Sequence, residues 1–197
     1  MVNDKTFQKA KRVFWFFIFF SAFLWLIPFL IRIFFIDFDI IEPIPKIVVI
    51  QKTTIVSQIS QQLDEGNKFY AFGLVFWNNL KVCIISIVGA AMFGIATVYN
   101  LVQNGFYTGD VMINIYESGL PINEILKHTL PHSIELFGFW LSGAIGFSLV
   151  KIIIDFIRTN TIPSKRFVVF LGKNAFLIFL TILLASYIEV YISISKL

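Results

Sequence analysis

Charged residues are scarce in this sequence. They make up 14% of its 197 residues, against about 25% in soluble domains. Hydrophobic residues make up 57%, and the mean hydropathy is +0.81. This composition excludes an ordinary soluble domain and indicates an integral membrane protein, which we treat as one domain over residues 1–197.

Cysteine and the familiar catalytic motifs are also missing. Cys83 is the single cysteine, which excludes an internal disulfide. The sequence contains no His-Glu-x-x-His, no Gly-x-Ser-x-Gly and no glycine-rich phosphate loop, and this leans against an enzyme of those classes. The net charge of +4 does not indicate nucleic-acid binding, because the basic residues flank apolar runs and are typical of cytoplasmic loops.

Long apolar runs predict an all-α, polytopic transmembrane bundle of about five helices. The first run follows a basic cluster and is too long for the core of a signal peptide, so we expect an uncleaved first helix. The predicted helices cover approximately residues 13–36, 80–102, 106–120, 131–151 and 174–194. Residues 46–63 combine apolar residues at roughly helical spacing with glutamine and lysine, which predicts an amphipathic helix in the first external loop, with a strand as the alternative.

Charge parity predicts the short helix 106–120, which hydropathy alone would assign to a loop. The first twelve residues contain four bases and one acid, and residues 151–173 contain five bases and one acid. Both segments are expected in the cytoplasm, but the three obvious spans between them would place them on opposite sides. A further crossing restores the parity. We therefore expect five crossings of the membrane, with a cytoplasmic N-terminus and an external C-terminus.

The fourth predicted helix contains the best candidate site. It begins at Pro131, which suits a first helical turn, and His132 and Glu135 lie three residues apart on one face. An ionisable pair inside a membrane helix is a functional-site hypothesis by default. The alternating topology brings polar residues of three other helices to the same external side: Arg32, Asn78, Asn79 and Glu189. Asp110 is expected nearer the cytoplasmic side.

Three interpretations of this cluster remain open. It is a structural network, in which Arg32 pairs with Glu135 or Glu189, or a substrate or proton site of a conducting or exporting protein. The third interpretation is catalysis by His132, Glu135 and Glu189. These residues would hold a divalent metal such as zinc and leave a position for water, or one carboxylate would act as a general base.

Glycines mark the surfaces where helices are expected to meet, because they allow close approach. Small-residue faces on the second and fourth predicted helices would also allow a homodimer. The glycines expected at such packing positions are Gly89, Gly94, Gly105, Gly109, Gly143 and Gly146.

The ordered set of motifs resembles the stage II sporulation protein M family of bacterial membrane proteins. One departure is Ser133, where the family usually has glycine. The resemblance covers nearly the whole chain after the first span and rests on Phe76-Trp77-Asn78-Asn79-Leu80, Gly89, Gly94, Asn104-Gly105, Gly109, Leu130-Pro131-His132-Ser133-Ile134-Glu135-Leu136, Gly143, Gly146 and Ala185-Ser186-Tyr187-Ile188-Glu189.

The resemblance implies that the protein is a subunit of a membrane complex. It does not imply one particular biochemical activity. Short family members occur in circular bacteriocin clusters near ATP-binding proteins, which implies peptide export, maturation or immunity. The implied partners are membrane lipids, a cytoplasmic ATP-binding subunit docking near 151–173, other membrane proteins and a peptide substrate. The alternatives are an intramembrane peptidase or peptide ligase and a scaffold for peptidoglycan hydrolases in sporulation.

Overall fold

A computed structural model of the chain describes residues 2–35, 58–59, 61–117 and 122–193. The described residues form five long helices. A 3₁₀ turn (Gly89–Met92) follows the second of these helices, and a π-helical turn (Glu189–Ser193) follows the fifth. These described residues contain no strand, and they confirm the predicted all-α membrane bundle. The long helices are α1 (Val2–Phe34), α2 (Lys68–Val88), α3 (Ile95–Glu117), α4 (Ile122–Thr159) and α5 (Lys165–Ile188).

Four stretches of these helices are long and apolar enough to cross a membrane, so the protein is a multi-pass membrane protein. They are Lys5–Phe34, Lys68–Met92, His132–Thr159 and Lys165–Ile192. Helix α3 is not among them because it is more polar, although its 23 residues extend about 35 Å and exceed the hydrocarbon thickness of about 30 Å.

Successive helices run in alternating directions. The ring of Phe14, near the start of α1, contacts Phe170, near the start of α5, with centroids 5.0 Å apart. The ring of Phe20 lies 5.2 Å from that of Phe147, in the second half of α4. The start of α1, the end of α4 and the start of α5 therefore share one end of the bundle, which we call the basic end.

The two basic segments, which charge parity predicted on the same side of the membrane, lie together at the basic end. Lys9 of α1 and Lys151 of α4 line one cavity of about 250 Å³, together with Asp155 and Ser164. Helix α5 begins beside it, and the Ser164 hydroxyl caps the helix by accepting a hydrogen bond from the Phe167 amide at 3.3 Å. Helix α3 covers the segment 106–117, for which parity predicted a further crossing.

The predicted helix 80–102 is wrong, because the chain reverses within it. Helix α2 ends at Val88, and α3 begins at Ile95 after two residues with left-handed backbone, Phe93 at φ 51° and Gly94 at φ 88°. The reversal contains no charged or amide residue, so hydropathy continues through it. The predicted short helix 106–120 is correspondingly the second half of a longer helix.

Other helix limits also differ from the prediction. The fourth helix begins at Ile122 and continues through Pro131, whose missing N–H removes one backbone hydrogen bond without ending the helix. The first and last helices begin earlier than the predicted 13–36 and 174–194, because polar first turns extend beyond the apolar runs. Most of the predicted amphipathic segment 46–63 lies outside the described residues, while residues 58–59 and 61–63 are helical.

Glycines form the closest helix contacts, where a Cβ would lie within 3.0 Å of a neighbouring helix. A Cβ on Gly105 or Gly109 of α3 would meet the backbone of Trp25 or the side chain of Arg32 in α1. Because both residue numbers increase together along the contact, α1 and α3 run parallel. A Cβ would also come within 3.0 Å of a neighbour at Gly89 (Thr97), Gly143 (Ser21) and Gly146 (Ser86). At Gly94 the neighbours are farther away, and glycine is favoured there because the backbone has a positive φ.

Candidate functional site

A polar cavity of about 250 Å³ lies toward the end of the bundle opposite the basic end. Helices α2, α3 and α4 and the π-helical turn that follows α5 contribute to its wall, and we call it the polar cavity. Around it, the outward surface of the bundle is apolar, with aromatic side chains such as Phe19 and Phe176 exposed by 72% and 63%. The residues that line the polar cavity are Ile59, Val75, Asn78, Asn79, Val82, Asn104, Tyr107, Thr108, Val111, His132, Glu135, Leu136, Phe139 and Glu189.

Glu135 is the central polar residue of the cavity and is only 4% exposed. Its Oε2 lies 3.2 Å from His132 Nδ1, one helical turn away on α4. Its Oε1 accepts a hydrogen bond of 2.5 Å from Asn79 Nδ2 on α2. The structure thus contains the pair expected from the His-x-x-Glu spacing, and the hydrogen bond from Asn79 on a second helix fixes the orientation of the Glu135 carboxylate.

Glu189 reaches the same cavity from the π-helical turn that follows α5. One ligating atom from each of His132, Glu135 and Glu189 can be chosen so that all three lie within 4.8 Å of one another. Glu189 Oε2 is enclosed and has no hydrogen-bond partner among the described residues. π-Helical turns occur frequently at functional sites, and here the turn begins at Glu189.

The structure places Arg32 away from the cavity wall. Its Nε donates a hydrogen bond to Asp110 Oδ1 on α3, so the expected pairing of Arg32 with Glu135 or Glu189 is wrong. Asp110, which was expected nearer the cytoplasmic side, lies toward the end of the bundle opposite the basic end. Because α3 already begins at Ile95, Asp110 lies in its second half, level with the last turn of α1.

Helix α3 adds polar residues to the site that the sequence analysis missed. Asn100, Asn104 and Thr108 recur every four residues and therefore share one helix face. Asn100 Nδ2 donates to Ser86 Oγ at 2.7 Å and to the Val82 carbonyl at 2.9 Å, which joins α3 to α2. This spacing would have revealed the polar face if the helix start had been placed correctly.

The polar face of α3 continues to the cavity through hydrogen bonds along the helix. Asn104 Nδ2 donates to the Asn100 carbonyl at 2.7 Å, and Thr108 Oγ1 donates to the Asn104 carbonyl at 2.8 Å. Asn104, Thr108 and Tyr107 also line the cavity that contains Glu135. The lining combines amide and hydroxyl groups with two carboxylates and an imidazole, which suits a polar or cationic guest.

Comparisons with known proteins identify relatives of this chain. A relative in Methanocaldococcus jannaschii, described as uncharacterized protein MJ0793, is 29% identical over 127 residues, which cover 63% of this chain and 71% of the relative. No solved structure matches the chain significantly. The family model described as stage II sporulation protein M matches residues 12–194. The chain therefore belongs to the stage II sporulation protein M family.

Proposed function

We propose that the protein is a non-catalytic membrane subunit of a peptide-export or envelope-remodelling system, with the polar cavity as the site that receives a peptide or a partner's membrane segment. The observation that carries the proposal is the cavity itself, because three helices and the π-helical turn after α5 direct polar side chains into one space of a bundle whose outer surface is largely apolar. Polar groups inside a membrane bundle are costly and typically mark substrate pathways.

Site-specific photo-crosslinking in the native host tests this function. Tyr107 lines the cavity, and Tyr99 on the same helix is 65% exposed on the outer surface. We expect p-benzoylphenylalanine at Tyr107, and not at Tyr99, to capture a peptide or membrane-protein segment that mass spectrometry identifies. Identical products from both positions, or lipid alone from both, would contradict a receiving cavity.

The captured partner also separates the biological settings. An ATP-binding subunit recovered with the complex supports export, with residues 151–173 as its proposed cytoplasmic docking segment. A peptidoglycan hydrolase supports the scaffold setting in sporulation. A bacteriocin-type peptide in the cavity supports export, maturation or immunity in such a system.

An intramembrane peptidase or peptide ligase is the second candidate function. The convergence of His132, Glu135 and Glu189 favours it, because an imidazole and two carboxylates supply acid–base groups and metal ligands. Peptide turnover by the purified chain alone, lost in Glu135→Gln, would establish this candidate and remove the non-catalytic one.

We further propose that the basic end lies in the cytoplasm of a bacterial cell and the polar cavity toward the external face. Lysine and arginine concentrate in cytoplasmic loops, and both basic segments lie at one end of the bundle. In a Cys83→Ser background, a membrane-impermeant maleimide should label Asn67→Cys in intact cells and Thr161→Cys only after lysis. Both positions are exposed and precede helices at opposite ends. The reverse labelling pattern would invert this orientation.

A further inference from the structure

We propose that His132, Glu135 and Glu189 form a binding site for a divalent transition metal, with zinc as the best-suited ion. The inference deepens the proposed function, because the metal would lie in the wall of the same cavity that receives the guest. The metal site itself requires no partner, and a purified protein is sufficient to test it.

The ligand geometry suits a small first-row ion. His132 Nδ1 and Glu135 Oε2 lie 3.2 Å apart, close to the separation of about 3.4 Å between ligands of a tetrahedral zinc at bond lengths near 2.1 Å. Glu189 completes three groups within 4.8 Å, and a side-chain adjustment of about 1 Å would close the set. An imidazole ligand favours zinc over magnesium or calcium, which prefer oxygen ligands alone.

The charges of the cluster also call for a cation. Two carboxylates that share one cavity repel each other, burial makes their charges costly, and a protonated His132 beside Glu135 would balance only one of them. Arg32 binds Asp110 on the neighbouring side of α3 and does not line this cavity. A divalent ion would neutralise both carboxylates and give the enclosed Oε2 of Glu189 a partner, which the described part of the chain does not provide.

A supporting hydrogen bond is already in place around the candidate site. Metal-bound carboxylates and histidines are typically oriented by hydrogen bonds from outside the ligand set. Asn79 supplies one by donating to Glu135 Oε1, which leaves Oε2 directed at His132. On metal binding, the ion would replace the proton shared between His132 Nδ1 and Glu135 Oε2.

Three protein ligands leave a position for an exchangeable ligand, as in zinc sites that act on substrates and unlike closed structural sites. Because all three residues line the polar cavity, this fourth position would be available from the cavity, opposite Asn104 and Thr108. The ligand class that fits is an oxygen donor, either water or a carbonyl or carboxylate of a peptide.

Zinc titration of the purified full-length chain in mild detergent tests the site. After chelator treatment, we expect about one zinc per chain by elemental analysis, and the cobalt-substituted protein should show the intense visible absorption of four-coordinate Co²⁺. His132→Ala and Glu189→Gln should each weaken zinc binding at least tenfold, and Asn79→Ala should weaken it about 10–100-fold as an outer-sphere change. The control is Glu65→Gln, an exposed carboxylate that bonds only neighbouring glutamines in the described residues, and it should leave zinc binding unchanged.

The outcomes separate this site from the proposed function. Wild-type protein that binds no more zinc than Glu189→Gln, or binding that survives His132→Ala, overturns the metal site. In that case crosslinking from Tyr107 still decides whether the cavity receives a guest. Zinc binding by the purified wild type, with crosslinking that fails, retains the metal site and removes the receiving role. The wild-type titration remains decisive if a variant does not fold.

Discussion

Asp110→Asn is expected to destabilise the bundle by about 3 kcal/mol, the lower end of the range for breaking a buried ion pair. The side chains of Arg32 and Asp110 are only 17% and 26% exposed, and they join the end of α1 to α3. The guanidinium keeps its proton at any physiological pH, so the variant leaves its charge without this carboxylate. Equilibrium unfolding by sodium dodecyl sulfate, followed by circular dichroism, measures the loss.

Two controls show whether charge balance causes that loss. The double variant Arg32→Gln with Asp110→Asn should recover most of the stability, because it removes both charges and keeps two polar side chains. Asp155→Asn removes the carboxylate of an exposed pair with Lys151, in which the side chains are 46% and 44% exposed, and should change stability little since solvent screens such pairs. Equal losses in Asp110→Asn and Asp155→Asn would contradict a special role for the Arg32 pair.

Gly105→Ala is expected to separate α1 from α3 and destabilise the protein by about 1–3 kcal/mol. The added methyl group would be directed at the main-chain carbonyl oxygen of Trp25, well inside contact distance, and a backbone atom cannot rotate away as a side chain can. The same sodium dodecyl sulfate titration should show the loss. Disulfide crosslinking between cysteines placed on α1 and α3 would show whether the two helices have moved apart.

Gly73→Ala provides the matched control. Gly73 lies inside helix α2, and a Cβ there meets nothing within 4 Å. The substitution should leave stability unchanged or increase it by about 0.5–1 kcal/mol, because alanine loses less backbone freedom in a helix than glycine. A loss of stability at Gly73 equal to that at Gly105 would show that glycine flexibility, and not close packing, decides both.

The sequence predicted the membrane bundle well where apolar runs are bounded by charge. Helices α1 and α5 begin with basic residues and continue into long apolar runs, so their existence and class follow from composition alone. The reversal between α2 and α3 was missed because Ala90, Ala91, Met92 and Phe93 are apolar, and apolar residues carry no turn signal.

The candidate site was predictable only in part, because the position of a residue along the bundle axis depends on where its helix begins. His132, Glu135 and Glu189 belong to helices with recognisable apolar runs, and the structure brings them together. Asn104 and Thr108 belong to α3, whose start was misplaced, and they were missed. The same error placed Asp110 toward the opposite end from Arg32 and concealed their ion pair.

We expect the parallel contact of α1 with α3 to set an order for insertion into the membrane during synthesis. Helix α3 is too polar to enter hydrocarbon readily by itself, and its Asp110 is costly there without a cation. Helix α1 is made first, so its Arg32 and the surface facing Gly105 and Gly109 are already in the bilayer when α3 leaves the ribosome. Helix α1, which contains a long apolar span, thus acts as the insertion partner of α3, the least hydrophobic of the long helices, and the hairpin at Gly89–Gly94 places α3 beside it.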